Sequence, residues 1–351
     1  MRSGRSDSSR ISMSAFVDEQ QPPSVSVIVP AFNAGTFIER CLGSIVDQSY
    51  QPVETLVVDD ASTDDTPQIV AAWATERLNL RLISAGENAG PANARNLGIA
   101  SATGEWIAFL DADDFWRTDH LARLVETVSR FPMADVVFST VVGQREMRRG
   151  PMGLSIEIQR PIYALLRENF VPQSAVMVRR SSLSTGGGYR TGSRYAEDYD
   201  LWLRLSAEKH AFAWTGADTC ERSEHNEQVS ARFPLQMFGS AWSAREEAVL
   251  RLPNWPDDAE ASTALQSAAK IDLEAAWSFR SKEAIRHVIR VTSWVPDSAR
   301  LSLPWERRIS WQWSFWYAAV WLYDRLPRQV RALRNEAKAN VRRLRPSNCF
   351  L

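Results

Sequence analysis

Acidic residues gather at the ends of apolar runs in this chain. Val57-Val58-Asp59-Asp60 closes one run, Ile107-Ala108-Phe109-Leu110-Asp111-Ala112-Asp113-Asp114 closes another, and Glu197-Asp198 stands farther on. A carboxylate at the end of a buried strand is costly unless something positive meets it. A divalent metal carrying a diphosphate ligand answers that need, because hard cations take oxygen ligands and often share their shell with substrate phosphates. Asp111 and Asp113 are two apart, and the strand period of two puts both on one face, able to reach one metal or one ribose–diphosphate together. The plainer reading is a solvated Asp-rich turn in which Asp114 caps the next helix. Asp59 and Asp60 are adjacent, so alternation sends them to opposite sides. One faces the ligand cleft and the other braces the loop Ala61-Ser62-Thr63-Asp64-Asp65, whose residue types suit a turn. A calcium loop is disfavoured, since the spacing lacks the central Gly and terminal Glu of an EF-hand.

Three further groups carry chemistry. Asn88-Ala89-Gly90-Pro91-Ala92-Asn93-Ala94-Arg95-Asn96 leads into a helix whose N-terminus offers N–H groups and positive potential. Arg95 can reach a phosphate, pair with a strand-end aspartate, or sit solvated on a surface helix. Glu197-Asp198-Tyr199-Asp200 opens another helix, where acidic residues suit the dipole whatever else they do. Asp198 is also placed to serve as a general base, deprotonating a hydroxyl held within hydrogen-bond reach. Gly186-Gly187-Gly188 before it allows close backbone approach to a ligand or is a flexible turn. His225, in a polar stretch, is a candidate ligand for a metal or diphosphate, although a lone loop histidine is more often neither.

The elements that must hold these residues alternate. Val25 to Pro30 reads as a strand stopped by Pro30. Gly35 to Gln48 has helical spacing. Thr55 to Val58 is a second strand, and Thr66-Pro67 opens a helix through Arg77. Leu80 to Ser84, Trp106 to Leu110 and Ala134 to Val142 read as strands, with helices at Pro91 to Ala100 and His120 to Arg130. That order predicts an α/β protein with a parallel-type sheet and helices on both faces. Ligands in such sheets lie beyond the carboxyl ends of the strands, where the acidic groups fall. Beyond Val142 the pattern loosens: Gln173 to Val178 is strand-like, Ala196 to Glu208 helical, and the chain from about Arg232 is helical and Trp-rich.

Composition narrows the class. The chain has 351 residues, 44% hydrophobic and 24% charged, which is ordinary for a globular protein. Lys+Arg 41 against Asp+Glu 42 leaves almost no net charge, which argues against a nucleic-acid binder. Cys41, Cys220 and Cys349 form no CxxC and read as reduced thiols of a cytoplasmic protein. No apolar run is long enough to span a bilayer, and residues 1–23, rich in Ser, Arg, Gln and Pro, read as a disordered lead-in without a secretory core. Neither G-x-G-x-x-G after the first strand nor G-x-x-x-x-G-K-[ST] is present, so nicotinamide and P-loop chemistry are disfavoured.

Taken together, Val25-Ser26-Val27-Ile28-Val29-Pro30-Ala31-Phe32-Asn33, Val57 to Thr66, Asn88 to Ile99, Gly104 to Asp114 and Gly187 to Leu205 resemble a family 2 glycosyltransferase. The resemblance covers roughly residues 23–230. It implies the GT-A fold, a Rossmann-like mixed sheet with helices on both faces, over residues 24–231, followed by a helical region over 232–351. It also implies inverting transfer of a sugar from a nucleotide-sugar donor, a UDP-sugar by preference, with Mg²⁺ or Mn²⁺. By position, Pro30, Ala31 and Phe32 would frame the nucleobase, Asp60 would contact it, Asp111 would meet the ribose or metal, and Asp113 would hold the metal. Asp198 would be the base, with Arg95 and His225 as donor contacts. His225 with Gln228-Val229-Ser230 fits the family's H-x-x-x-V-S ending, but the arginine expected upstream stands one place off, at Arg222. The Q-x-x-R-W element and spanning helices of processive synthases are missing, which implies addition of a single sugar.

The acceptor implied is a glycan or a lipid-linked glycan in cell-surface polysaccharide or glycoconjugate synthesis. Trp313, Trp316, Tyr317, Val320 and Trp321 would form one helical stripe, and an Arg-rich segment follows. Over 310–345 that pattern suits either an interfacial helix at the inner face of a membrane or an aromatic face packed on the protein. Two rivals keep the same architecture. One is a catalytically silent sugar-nucleotide-binding protein, disfavoured by the intact aspartates. The other is a sugar nucleotidyltransferase, which would want a basic Gly-rich loop where Ala31 to Thr36 has no basic residue.

Overall fold

The computed structural model describes residues 22–73, 79–143, 157–158, 161–192, 195–223 and 233–278, with 285, 287, 288 and 295 singly. His225, Gln228 to Ser230, Cys349, the last residues of the helix expected through Arg77, almost all of 1–23 and the whole of 310–345 lie outside the described residues. Among the described residues nine strands form one sheet: β1 Val25–Ala31, β2 Glu54–Asp59, β3 Leu80–Ser84, β4 Trp106–Phe109, β5 Phe115–Trp116, β6 Val136–Val141, β7 Glu157–Ile158, β8 Val176–Arg179 and β9 Phe212–Glu221. Their order is β3-β2-β1-β4-β8-β6-β9-β5, with β7 also on β9.

The first half, β3-β2-β1-β4, is parallel as expected. The second half corrects the parallel reading, because β8 enters antiparallel between β4 and β6, and β5 and β7 run antiparallel to β9. Strand β1 also continues through Pro30, which pairs in register with Val58. Proline forfeits nothing there. The Leu110 N–H donates to the Ile28 carbonyl, so the even residues of β1 face β4, and that pairing has ended before Pro30.

Alternation divides the sheet between two cores. Val25, Val27 and Val29 join Ile38, Cys41, Leu42 and Ile45 of α1 (Ile38–Val46), Val70 of α2 (Thr66–Trp73) and Leu121 and Leu124 of α4 (His120–Arg130). Ile28, Leu56 and Phe109 face α3 (Pro91–Ser101), α5 (Ile162–Arg167) and α7 (Glu197–Ala207). A short helix α6 (Arg180–Thr185) follows β8. The pair α8 (Pro234–Val249) and α9 (Ala259–Ser278) adds Trp242, Val249, Leu265 and Ala268 to that second core. Helix α3 lies close on the sheet at Gly98, where a Cβ would come within 2.6 Å of Ile28. Any larger residue would lift α3, and Arg95 with it, away from the strand ends. Cys41 and Cys220 are buried free thiols. Among the described residues no helix is long and apolar enough to cross a membrane.

Candidate active site

Asp59 and Asp60 end β2, and both are spent on backbone. The Ser62 N–H approaches both Asp59 oxygens at 3.3 Å, so Asp59 braces the following loop. Asp60, 3% exposed, accepts from the Ala89 N–H at 3.1 Å and the Gly90 N–H at 2.8 Å. The helix-entry N–H groups expected to meet a phosphate are therefore taken at these two positions by Asp60. The loop after β1 is laced to the loop after β2: Asn33 accepts from the Thr63 N–H, the Gly35 N–H donates to Asp64, and the Ala34 N–H donates to the Thr66 hydroxyl. Pro30 and Ala31 are buried in that frame, while the Phe32 ring is 48% exposed beyond the strand end.

The Asp111–Asp114 segment corrects the strand-alternation argument. Strand β4 ends at Phe109, and the Asp114 N–H donates to the Asp111 carbonyl across a tight turn. Asp111 and Asp113 are both partly exposed, so the D-x-D spacing works through a turn rather than through a pleat. Asp114 does not cap α4. It is buried, bonded to Ser174 and to the Ser223 N–H at the end of β9. Burial first, and then the charge of Asp111, push its carboxyl up to about 7. Ser174, in the single 3₁₀ turn before β8, also accepts from the Asp111 N–H and so fixes the acidic turn from below.

Arg95 joins this turn to α7. Its guanidinium donates to Asp111 Oδ1 at 2.7 Å and to Glu197 Oε1 at 2.8 Å, and lies over the Tyr189 ring. The arginine is 3% exposed. Burial opposes its charge, but the Asp111 and Glu197 carboxylates outweigh burial and hold its pKa above the usual value. Of the options the sequence left open, Arg95 takes the pairing with a strand-end aspartate. Its Nε is buried without a partner. Ser174 and Asn169 were not singled out by the sequence, and neither was the pairing of Glu197 with Arg95, since those two lie 102 positions apart.

Asp198 follows Glu197 in the first turn of α7. The Tyr199 N–H donates to its Oδ1 at 2.7 Å and Asn169 Nδ2 donates to its Oδ2 at 3.3 Å. Burial, then the adjacent Glu197 charge, raise Asp198 to about 6, against the lowering pull of the Tyr199 N–H, Arg95 and Asn169. The preceding glycines form a pinned turn: Arg204 donates to the Gly186 and Gly188 carbonyls, and Asn96 exchanges hydrogen bonds with the Tyr189 backbone. Asp111, Glu197 and Asp198 thus meet around Arg95. Asp60 reaches the group through the start of α3, and Asp113 through its turn with Asp111.

Among the described residues no three acidic, His or Cys side chains form a closed metal cage. The donor set at the turn nonetheless suits a hard divalent cation. Asp111 and Asp113 are partly exposed carboxylates on one turn, beside the buried carboxyl of Asp114. Such a cation completes its shell with phosphate and water oxygens.

The model of "Glycosyl transferase family 2" matches residues 26–186. The succinoglycan biosynthesis protein ExoO of Rhizobium meliloti is 46% identical over 104 residues, which are 30% of this chain and 29% of that protein. The chain thus spans under a third of ExoO. A Bacillus subtilis glycosyltransferase provisionally named for teichuronic acid biosynthesis, TuaG, is 32% identical over 202 residues, 56% of this chain and 77% of that protein. The crystal structure of S. aureus TarS 1–349 in complex with UDP-GlcNAc has a TM-score of 0.61 at 20% identity, covering 76% of this chain and 79% of that 1–349 chain. The mannosyltransferase PcManGT from Pyrobaculum calidifontis, in complex with GDP-Man and Mn²⁺, has a TM-score of 0.55 at 24% identity, over 87% and 88% of the two chains. The structural likenesses establish a GT-A fold, and the matched family model together with the coverage of TuaG establishes that the chain belongs to glycosyl transferase family 2.

Proposed function

We propose that this protein transfers one sugar, with inversion, from a nucleoside-diphosphate sugar to a hydroxyl of a glycan or lipid-linked acceptor, in cell-surface polysaccharide or glycoconjugate synthesis. The observation that carries the reading is Asp198: a carboxylate raised to about 6 that Arg95 and Glu197 tie to the acidic turn beyond β4. A base of that pKa is ionised at neutral pH and still accepts a proton readily, which suits removal of the acceptor hydroxyl proton. Displacement in one step needs that single base and no carboxylate nucleophile, in contrast to the retaining hydrolases.

Pro30, Ala31 and the exposed Phe32 frame the nucleobase, and Asp60 shapes that pocket by fixing the turn at Ala89 and Gly90. Asp111 and Asp113 would hold a Mg²⁺ or Mn²⁺ ion, which when bound supplies positive charge beside the departing diphosphate. Arg95 keeps Asp111 and Glu197 from repelling one another and so holds turn and base in register. The ligand complexes named for TarS and PcManGT support UDP- or GDP-sugars as the first donors to try. The names of ExoO and TuaG, succinoglycan and teichuronic acid biosynthesis, support a polysaccharide acceptor. The Trp and Arg composition of 310–345 supports contact with a membrane surface.

The experiment is a thermal-shift and transfer screen of UDP, GDP, UDP-GlcNAc and GDP-mannose, each with and without Mn²⁺. A nucleoside diphosphate is expected to raise the unfolding temperature in the presence of Mn²⁺, and Asp113→Ala is expected to remove that increment. Equal shifts in wild type and Asp113→Ala would remove Asp113 from the metal site. No shift and no diphosphate release with any donor would overturn the assignment.

A further inference from the structure

We infer that Arg245, on helix α8 and outside the nucleotide end of the sheet, is a positioning residue for Asp198. The inference rests on the reading of Asp198 as the base.

Arg245 is 4% exposed and stands where three elements meet. Its Nε donates both to the Leu166 carbonyl and to the Tyr199 hydroxyl, each at 3.0 Å. Nη1 pairs with Asp272 of α9 at 3.1 Å, and Nη2 points to the Arg167 carbonyl at 3.5 Å. The guanidinium lies over the Trp242 and Tyr199 rings, and Trp242 Nε1 donates to the same Asp272 oxygen. One side chain therefore occupies carbonyls at the C-terminal end of α5, which a helix leaves without internal donors. The same side chain anchors the first turn of α7.

Both segments end on Asp198. The Tyr199 N–H donates to one carboxylate oxygen, and the Tyr199 hydroxyl that Arg245 holds also donates to the Leu165 carbonyl. Asn169, two residues beyond α5, donates to the other oxygen. Among the described residues, each hydrogen-bond donor to the base thus belongs to a segment that Arg245 fixes, 46 positions away at Tyr199 and 79 at Leu166. A planar five-donor fork serves carbonyl, hydroxyl and carboxylate together, which an ammonium cannot do. The charged and titratable groups facing Asp198 are Glu197, Arg95 and Tyr189, and Arg245 touches none of them. Its influence on the base passes through hydrogen-bond geometry.

The test compares wild type, Arg245→Lys, Tyr199→Phe and Asp198→Asn as full chains. Lysine retains the charge opposite Asp272 but not the fork, so Arg245→Lys is expected to fold and to unfold a few degrees below wild type. Amide exchange is expected to quicken about tenfold over 165–170 and 197–200 only, with 60–64 and 89–95 unchanged. For whichever of UDP-GlcNAc and GDP-mannose the wild type turns over with Mn²⁺, kcat is expected to fall about 10- to 30-fold at constant donor KM. The acid limb of its pH profile should move upward, because a carboxylate that loses hydrogen-bond donors is harder to ionise. Tyr199→Phe, which removes one oxygen, should move exchange and limb in the same direction by less. Wild-type exchange in both segments, or a wild-type acid limb in both variants, would overturn the inference. Transfer surviving in Asp198→Asn would instead overturn the base reading and leave the exchange result to stand by itself.

Discussion

Two sets of strand-end carboxylates in this molecule have the same residue types and opposite circumstances. Asp59 and Asp60 at the end of β2 are buried and face backbone N–H groups. Asp111, Asp113, Asp114, Glu197 and Asp198 crowd around the end of β4 and the start of α7, with Arg95 as the cation between them. In the first set each charge is neutralised locally, and the carboxylates act as framework. In the second, burial first and then the charge of a neighbouring carboxylate raise Asp114 and Asp198. Partnering, more than position on the sheet, separates a carboxylate that holds the fold from one able to do chemistry.

The largest expected effect comes from removing the reactive charge itself. Asp198→Asn should lower transfer by about 10³-fold, within the range for loss of a general base, while leaving Mn²⁺-dependent UDP affinity intact. Wild-type turnover should fall as pH drops through about 6. Stability should move the other way. The folded carboxyl ionises near 6 and the unfolded one near the ordinary aspartate value, so ionisation disfavours the fold increasingly from about pH 4 to 6 and fully above it. The asparagine variant should therefore unfold at a higher temperature than wild type at pH 7, and the difference should vanish below pH 4. Equal melting at pH 7 would mean that the site tolerates its charge without strain.

Arg95→Met breaks the second set from the other side. Two carboxylates would face each other with their shared cation gone, and loss of one partner from a buried ion pair costs about 3–5 kcal/mol. Asp111 is partly exposed, so the lower end is expected, about 3 kcal/mol, read from the denaturant midpoint at constant slope. A loss below about 1 kcal/mol would show that solvent already screens the pair.

How far this arrangement was legible in the sequence depends on the range of the contact. Alternating strand and helix, Thr66-Pro67 opening α2, and Glu197-Asp198 in the first turn of α7 are local signals, and the structure has each of them. The antiparallel entry of β8 and the bond from Ser223 to Asp114, 109 positions apart, have no local signature. The D-x-D pair was legible as a pair, but through the wrong geometry: a strand and a tight turn both bring residues two apart to one side. Strand β9, ten residues with Gly216 at φ 77° in its middle, escaped because its apolar pattern breaks at that irregularity. Helices α8 and α9, the described part of the region after 232, were readable as helical. Their role beneath Asp198 was not, since that depends on Arg245 finding Tyr199 and Leu166.

Within the first set, Asp60→Asn should cost about 1–3 kcal/mol, because an amide nitrogen cannot accept and one of the Ala89 and Gly90 N–H groups is left buried and unpaired. The turn entering α3 should loosen, and turnover should fall only by the amount that Arg95 shifts. A variant of wild-type stability with abolished UDP binding would move Asp60 into the reactive set, as a direct contact to the base.

The smallest effect is expected next door, at Asp59. Its oxygens share one N–H, that of Ser62, at 3.3 Å, toward the long end of the hydrogen-bond range. An asparagine there retains an acceptor for that N–H, so Asp59→Asn should change stability by no more than about 0.5 kcal/mol and leave UDP binding alone. The adjacent pair then separates cleanly: identical residues on one strand end, with unequal cost set by two short bonds against one long one. If Asp59→Asn were as damaging as Asp60→Asn, the carboxylate charge itself would be what the β2 end requires, and the distinction between a neutralised framework and an unneutralised site would have to be redrawn around charge in place of hydrogen-bond donors.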